Sequence, residues 1–275
     1  MKASFLTYPE GRVYVSETSG RGNPVVFIHG NSLSSQIYQH QADYEHFSDH
    51  RLVFFDFPGH GESGNWSNPE KSYSAAGFVE VLLELTSRLG VQNALFVGHS
   101  LGGHILLHAA RYLQDASGFC FFGITPFTIP PRFDLAFLPH PAVPLLFQSY
   151  WTAEDRELVG ASLIRAGGTV PFEIVDSLEK SIPAVREHIA ASISKGQPVD
   201  ETLLLAALDK PVTIFHGEKD QLVNREYLEK LNVPMLWNGK PELITEAGHC
   251  PQLENPVAFN TLLKRFIDYC THPAR

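Results

Sequence analysis

Cysteine is scarce in this chain of 275 residues: Cys120, Cys250 and Cys270 stand far apart, and no C-x-x-C occurs. That excludes a disulfide framework and a zinc knuckle. Positive charge is also short, with 21 Lys and Arg against 30 Asp and Glu and a formal net charge of -9. No run of Lys or Arg forms a basic stripe, so no nucleic-acid partner is expected. Long hydrophobic runs are missing as well. No segment reaches the length needed to span a bilayer, and the opening "MKASFLTYPEGRVYVSETSG" lacks the apolar stretch of a signal peptide. The expectation is a cytoplasmic protein without a membrane span. Internal repeats and low-complexity tracts are absent too.

What is present suits a globular domain: 44% hydrophobic and 19% charged residues, on a chain long enough to bury a large core. The runs "VYVSE", "PVVFIHG", "RLVFFDFPG", "NALFVGHS" and "GFCFFGIT" read as strands, while "SYSAAGFVEVLLELTSRLG" and "LGGHILLHAARYL" read as helices. Their alternation predicts a parallel sheet with helices packed on its faces. In the first helix Phe78, Val81, Leu82, Leu85 and Leu89 recur at helical spacing, and Gly90 supplies a stop. Residues 25–28, 52–55 and 95–97 are continuously apolar, as in central strands covered on both faces. Each run ends in polar or glycine-rich residues ("HGNS", "DFPGHGES", "GHSLGG"), where open sheets of this kind gather their chemistry.

The rhythm changes after Ile124. Residues 125–209 carry proline clusters ("TPFTIPPRF", "LPHPAVP") and then helical patterns, "AEDRELVGASLIRAG" and "PFEIVDSLEKSIPAVREHIAASISKG", with no strand pattern. They are expected to form a mostly helical cap over a core made of residues 1–124 and 210–275. Strands resume in "PVTIFHGEKD" and "ELITEAGH". The closing helix, "PVAFNTLLKRFIDYC", has Asn255 placed as its cap and Pro256 in its first turn.

The most informative stretch is "LFVGHSLGGH", in which Gly98 and Gly102 flank Ser100 where a strand should become a helix. Glycines at those positions permit a sharp turn and close packing, so the central hydroxyl is pushed outward. A serine hydroxyl is a weak nucleophile until a base takes its proton, and the base works better when a carboxylate orients it. Asp220 follows the strand "VTIFHG", and His249 follows the next one. The order Ser100, Asp220, His249 is that of hydrolases built on a nucleophile elbow. The other place for an acid, after Ile124, holds Thr125 and Pro126. His104 and His108 are spaced as in helical zinc sites, but the glutamate of H-E-x-x-H is missing and the sequence offers no third ligand, so no metal is expected.

Five motifs, "HGNS", "DFPGHGES", "GHSLGG", "HGEKD" and "GHCPQLENP", occur in the order in which they occur in the α/β-hydrolase superfamily, which the chain resembles on both flanks of residues 125–209. The resemblance implies an α/β-hydrolase fold with an eight-stranded, mostly parallel sheet. It implies Ser100 as nucleophile, Asp220 as acid and His249 as base. It also implies an oxyanion hole made by the backbone N–H of Leu101 and by that of Asn31, with Ser32 as second choice. "DFPGHGES" corresponds to a structural turn of the family; His29 and His99 read as supporting residues and Cys250 as packing. The implied activity is cofactor-independent cleavage of a carboxylic ester, lactone or thioester with an apolar acyl part. Acyl-homoserine lactone hydrolysis, carbon–carbon bond hydrolysis, perhydrolysis and non-catalytic ligand binding on the same fold stand as alternatives. Dehalogenases and epoxide hydrolases of the superfamily place aspartate where this chain has Ser100.

Overall fold

A computed structural model describes residues 1–194 and 199–271. The apolar runs become strands of one sheet: β1 (Lys2–Thr7), β2 (Arg12–Glu17), β3 (Gly22–Ile28), β4 (His50–Phe55), β5 (Leu95–His99), β6 (Gly118–Phe122), β7 (Val212–Gly217) and β8 (Glu242–Ile244). Their order is β1-β2-β4-β3-β5-β6-β7-β8. β1 and β2 pair antiparallel, β2 runs antiparallel to β4, and every later pairing is parallel. The expected eight-stranded, mostly parallel sheet is therefore what the chain forms.

Successive side chains of a strand point to opposite faces, and the central strands use that to build two cores at once. Val26, Ile28, Val53, Phe55, Phe96 and Phe119 join one cluster, in which Phe78, Val81, Leu82 and Leu85 of α1 (Ala75–Leu89) also pack. Val25, Phe27, Leu52, Phe54, Leu95 and Val97 face the other way, toward residues of the last helix. The predicted stop and cap residues act as read: Gly90 closes α1 in the left-handed conformation, and the Asn255 side chain accepts from Ala258 N–H at 3.2 Å.

Three elements depart from the sequence reading. β1 was not anticipated; it is an edge strand with much of its surface exposed, so it lacks the apolar run that marks the others. The run 153–167 is helical only as α3 (Ala153–Ser162), after α2 (Leu101–Ala109). The run 171–196 breaks into α4 (Phe172–Lys180) and α5 (Pro183–Ser194). The break lies where Ile182 precedes Pro183, because a proline disfavours helical backbone in the residue before it. Lys195 and Gly196, at the end of that run, lie outside the described residues.

The described part of residues 125–209 carries helices, including α6 (Glu201–Ala206), and only an isolated bridge from Phe137 to Val223. Side chains fasten it to the loops at the carboxyl ends of the strands. Asn31 donates to Leu146 O at 2.8 Å, and Gln36 donates to Asp176 at 2.9 Å. Arg186 is buried over the Trp151 ring and donates to the carbonyls of Gln148 and Ser149. The chain closes with α7 (Pro256–Thr271). Among the described residues no helix is long and apolar enough to cross a membrane.

Candidate active site

β5 ends at His99 and α2 begins at Leu101, so Ser100 alone turns the chain from strand to helix. Its backbone takes φ 49° and ψ -121°, a region that residues with a Cβ seldom enter. The turn holds because its neighbours pack backbone on backbone. A Cβ at Gly98 would lie 2.8 Å from Gly103 Cα, and one at Gly102 would lie 2.3 Å from His29 O. Gly102→Ala is accordingly expected to destabilise the fold by about 1–3 kcal/mol, the usual scale of overpacking. A lowered urea midpoint with an unchanged slope would show it. Ser100 N–H is anchored on Phe122 O at 2.9 Å, while its carbonyl accepts from Gly103 and His104 N–H to start α2. The N–H of Leu101 opens the first turn of α2, where no intrahelical acceptor exists.

Asp220 lies just beyond β7 and is buried, as is His249. One carboxylate oxygen, Oδ1, accepts the backbone N–H of Leu222 at 2.8 Å and of Val223 at 3.1 Å. The other, Oδ2, faces His249 Nδ1 at 2.9 Å. Burial works to raise the Asp220 pKa, but the imidazole charge and hydrogen bond prevail and hold it below the usual carboxylate range. An ionised carboxylate can only accept, so Nδ1 of His249 carries a proton, and in the neutral ring Nε2 presents a lone pair.

Ser100, Leu101, Asn31 and His249 line one cavity, and Asp220 stands behind His249. Among the described residues no acceptor takes the Asn31 backbone N–H. The N–H of Ser32, the second choice for that donor, is given to His60 Nε2 at 3.1 Å. The Asn31 side chain holds its own loop to Leu146.

The supporting histidines each have an assignable tautomer. His29 Nδ1–H donates to Gly30 O at 2.8 Å, and its Nε2 accepts Phe57 N–H at 2.9 Å. His60 Nδ1–H donates to Pro58 O, leaving Nε2 for Ser32. His99 Nε2–H donates to the carbonyl of His249 at 3.1 Å and so fixes the backbone that carries that imidazole. Burial drives all three pKa values down and keeps the rings neutral. In "DFPGHGES" the Asp56 carboxylate accepts Ser35 N–H and Glu62 N–H, and Ser63 donates to Asp56 O, which makes the stretch a tied turn. Cys250 is buried, and burial pushes its thiol well above the ordinary range.

One residue of the cavity wall had no signal in the sequence. Glu201, at the start of α6, meets His104 Nδ1 at 2.8 Å through Oε2 and His108 Nε2 at 3.0 Å through Oε1. Its Oε2 also accepts Phe127 N–H at 2.9 Å. The two imidazoles face different oxygens of one carboxylate, and no metal-holding group of His, Cys, Asp or Glu occurs among the described residues. Burial works to raise the Glu201 pKa, yet the charge of His104 and the three hydrogen bonds bring it down to about 2. A folded pKa below the unfolded one means stability that is full above pH 4.5 and lost as pH falls toward 2. The difference in thermal midpoint between the native protein and Glu201→Gln is therefore expected to narrow as pH drops below 4.5.

Residues 25–262 match the model of the alpha/beta hydrolase family. The chain belongs to that family. Among similar members is the "Bifunctional esterase/perhydrolase DCH" of Acinetobacter calcoaceticus, 27% identical over 250 residues, with 86% of this chain and 89% of that one covered. The N-acyl homoserine lactonase AidH, solved in complex with N-butanoyl homoserine, superposes with a TM-score of 0.94 at 28% identity, covering 100% of this chain and 99% of that one. An AidH mutant complexed with N-hexanoyl homoserine lactone gives 0.93 at the same identity, with 98% and 99% covered. In this alpha/beta hydrolase the turn around Ser100, the buried Asp220–His249 pair and the Asn31 loop all lie at the carboxyl edge of the sheet.

Proposed function

We propose that the chain hydrolyses a carboxylic ester or lactone through an acyl-enzyme, without a cofactor. Ser100 Oγ attacks the carbonyl carbon while His249 Nε2 takes its proton, and Asp220 stabilises the imidazolium that results. The oxyanion is held by the backbone N–H groups of Leu101 and Asn31; losing one such donor costs about 2.7–4 kcal/mol in a comparable site. The imidazolium then gives its proton to the departing alkoxide. Water, deprotonated by the same nitrogen, attacks the acyl carbon, and collapse of the second tetrahedral intermediate releases the acid and restores Ser100.

The observation that carries this reading is the buried Asp220–His249 pair at 2.9 Å, whose imidazole stands on the wall of the cavity that Ser100 also lines. Residues 125–209 act as a cap. They contribute Phe127, Phe137, Leu146, Phe147 and Leu163 to the cavity, which suits an apolar substrate portion.

N-acyl homoserine lactones are the substrate class to try first. The 28% identity and TM-scores of 0.93 and 0.94 to AidH, over nearly the whole of both chains, favour them. The test joins a fluorophosphonate probe to a substrate panel. Labelling should occur at Ser100 and vanish in Ser100→Ala, and N-hexanoyl homoserine lactone or short 4-nitrophenyl esters should be turned over. Labelling without turnover of any ester, lactone or thioester would favour a ligand-binding role, and labelling that survives Ser100→Ala would remove the nucleophile.

A further inference from the structure

The cavity extends along α2. Leu101, His104, Ile105 and His108, which all line it, follow the i, i+3, i+4, i+7 spacing of one helix face. At a rise of about 1.5 Å per residue, His104 lies one turn and His108 two turns beyond Ser100, roughly 6 and 12 Å along the axis. The α2 face, otherwise Leu101 and Ile105, thus carries two imidazoles at a set distance from the proposed nucleophile.

Their remaining hydrogen-bonding capacity follows from the Glu201 contacts. The carboxylate accepts from His104 Nδ1 and His108 Nε2, so each ring carries a proton on the nitrogen facing Glu201, and in its neutral form the other nitrogen is left to accept. His104 Nε2 and His108 Nδ1 are then acceptors, and among the described residues no protein donor meets either of them. The His104 ring is stacked on Phe127 at a centroid distance of 4.8 Å, which fixes its plane. Staple-like contacts from Glu201 would need only one histidine to tie α6 to α2; two rings on one carboxylate, both bordering the cavity, make a polar subsite.

We propose that His104 and His108, oriented by Glu201, form a subsite that accepts a hydrogen bond from a hydroxyl group carried by the substrate about 6–12 Å from its scissile carbonyl. This rests on the hydrolase reading above. The preferred substrate is then a hydroxylated chain, since a plain alkyl chain leaves two imidazole nitrogens desolvated without a partner.

Two substrate pairs test it: 4-nitrophenyl hexanoate against 4-nitrophenyl 6-hydroxyhexanoate, and hexyl acetate against 6-hydroxyhexyl acetate. They place the hydroxyl on the acyl side or on the alcohol side. In the native enzyme kcat/KM for the hydroxylated member of one pair should exceed that of its plain partner by about tenfold, the scale of one well-made hydrogen bond. His104→Leu or His108→Leu should bring that ratio to about one or below. The ratio is a readout that a purely structural tie between α2 and α6 would not move. If the leucine variants do not fold, His108→Phe and the native comparison still decide. A native ratio near one in both pairs, or a ratio unchanged in the variants, overturns the subsite while leaving the hydrolase reading intact. A native enzyme that cleaves none of the four esters overturns the subsite, and it overturns the hydrolase reading as well only when N-hexanoyl homoserine lactone is also left intact.

Discussion

Ser100→Ala is expected to lower turnover on any accepted ester by about 10⁶-fold, the loss seen when the nucleophile of a subtilisin-type triad is removed. The size follows from what is left behind. His249 and Asp220 can still hold a proton, and the Leu101 and Asn31 N–H groups can still polarise a carbonyl, but no covalent step is available. The variant should fold normally, because alanine meets the same backbone demand as serine at φ 49°. Initial rates on a 4-nitrophenyl ester, with circular dichroism to confirm the fold, are the measurement. Activity within tenfold of native would place the nucleophile elsewhere.

Asp220→Asn is expected to cost about 10⁴ in kcat with little change in structure, as a neutral partner does in a comparable triad. The reason lies in the two oxygens. Oδ1 accepts the N–H groups of Leu222 and Val223, so the asparagine carbonyl is held on that side and its NH₂ is turned to His249. An NH₂ group donates, so Nδ1 of the ring must accept and the proton moves to Nε2, where the base is needed. The imidazole would be in place and in the wrong tautomer. A near-native rate in this variant would mean that another acid orients His249.

Much of this was legible because the chain marks its turns with unusual residues. The apolar runs 25–28, 52–55 and 95–97 read as doubly covered strands, and "GHSLGG" marked the strand-to-helix turn through two glycines at which a Cβ would collide with backbone. Asp220 and His249 were readable from their places after successive strands. The preference for Asn31 over Ser32 came from the family resemblance; that His60 takes the Ser32 N–H across 28 residues was not visible in the sequence. The break between α4 and α5 was written in "SIPAV", but continuous helical periodicity on both sides masked it. Glu201 was invisible for a different reason. It reaches His104 and His108 over 97 and 93 residues from the start of a short helix, and its neighbours in sequence look like any capped surface turn. A lone histidine pair four residues apart therefore suggested a metal spacing without a third ligand, whereas folding brings the pair a shared carboxylate.

The most direct test is a crystal structure of the protein after reaction with an alkyl fluorophosphonate. The expected result is phosphorus bonded to Ser100 Oγ, its phosphoryl oxygen about 3 Å from the backbone nitrogens of Leu101 and Asn31, and His249 Nε2 within hydrogen-bonding reach of the same centre. An adduct on a different side chain, or one on Ser100 whose phosphoryl oxygen turns away from both nitrogens with the imidazole out of reach, would contradict the account.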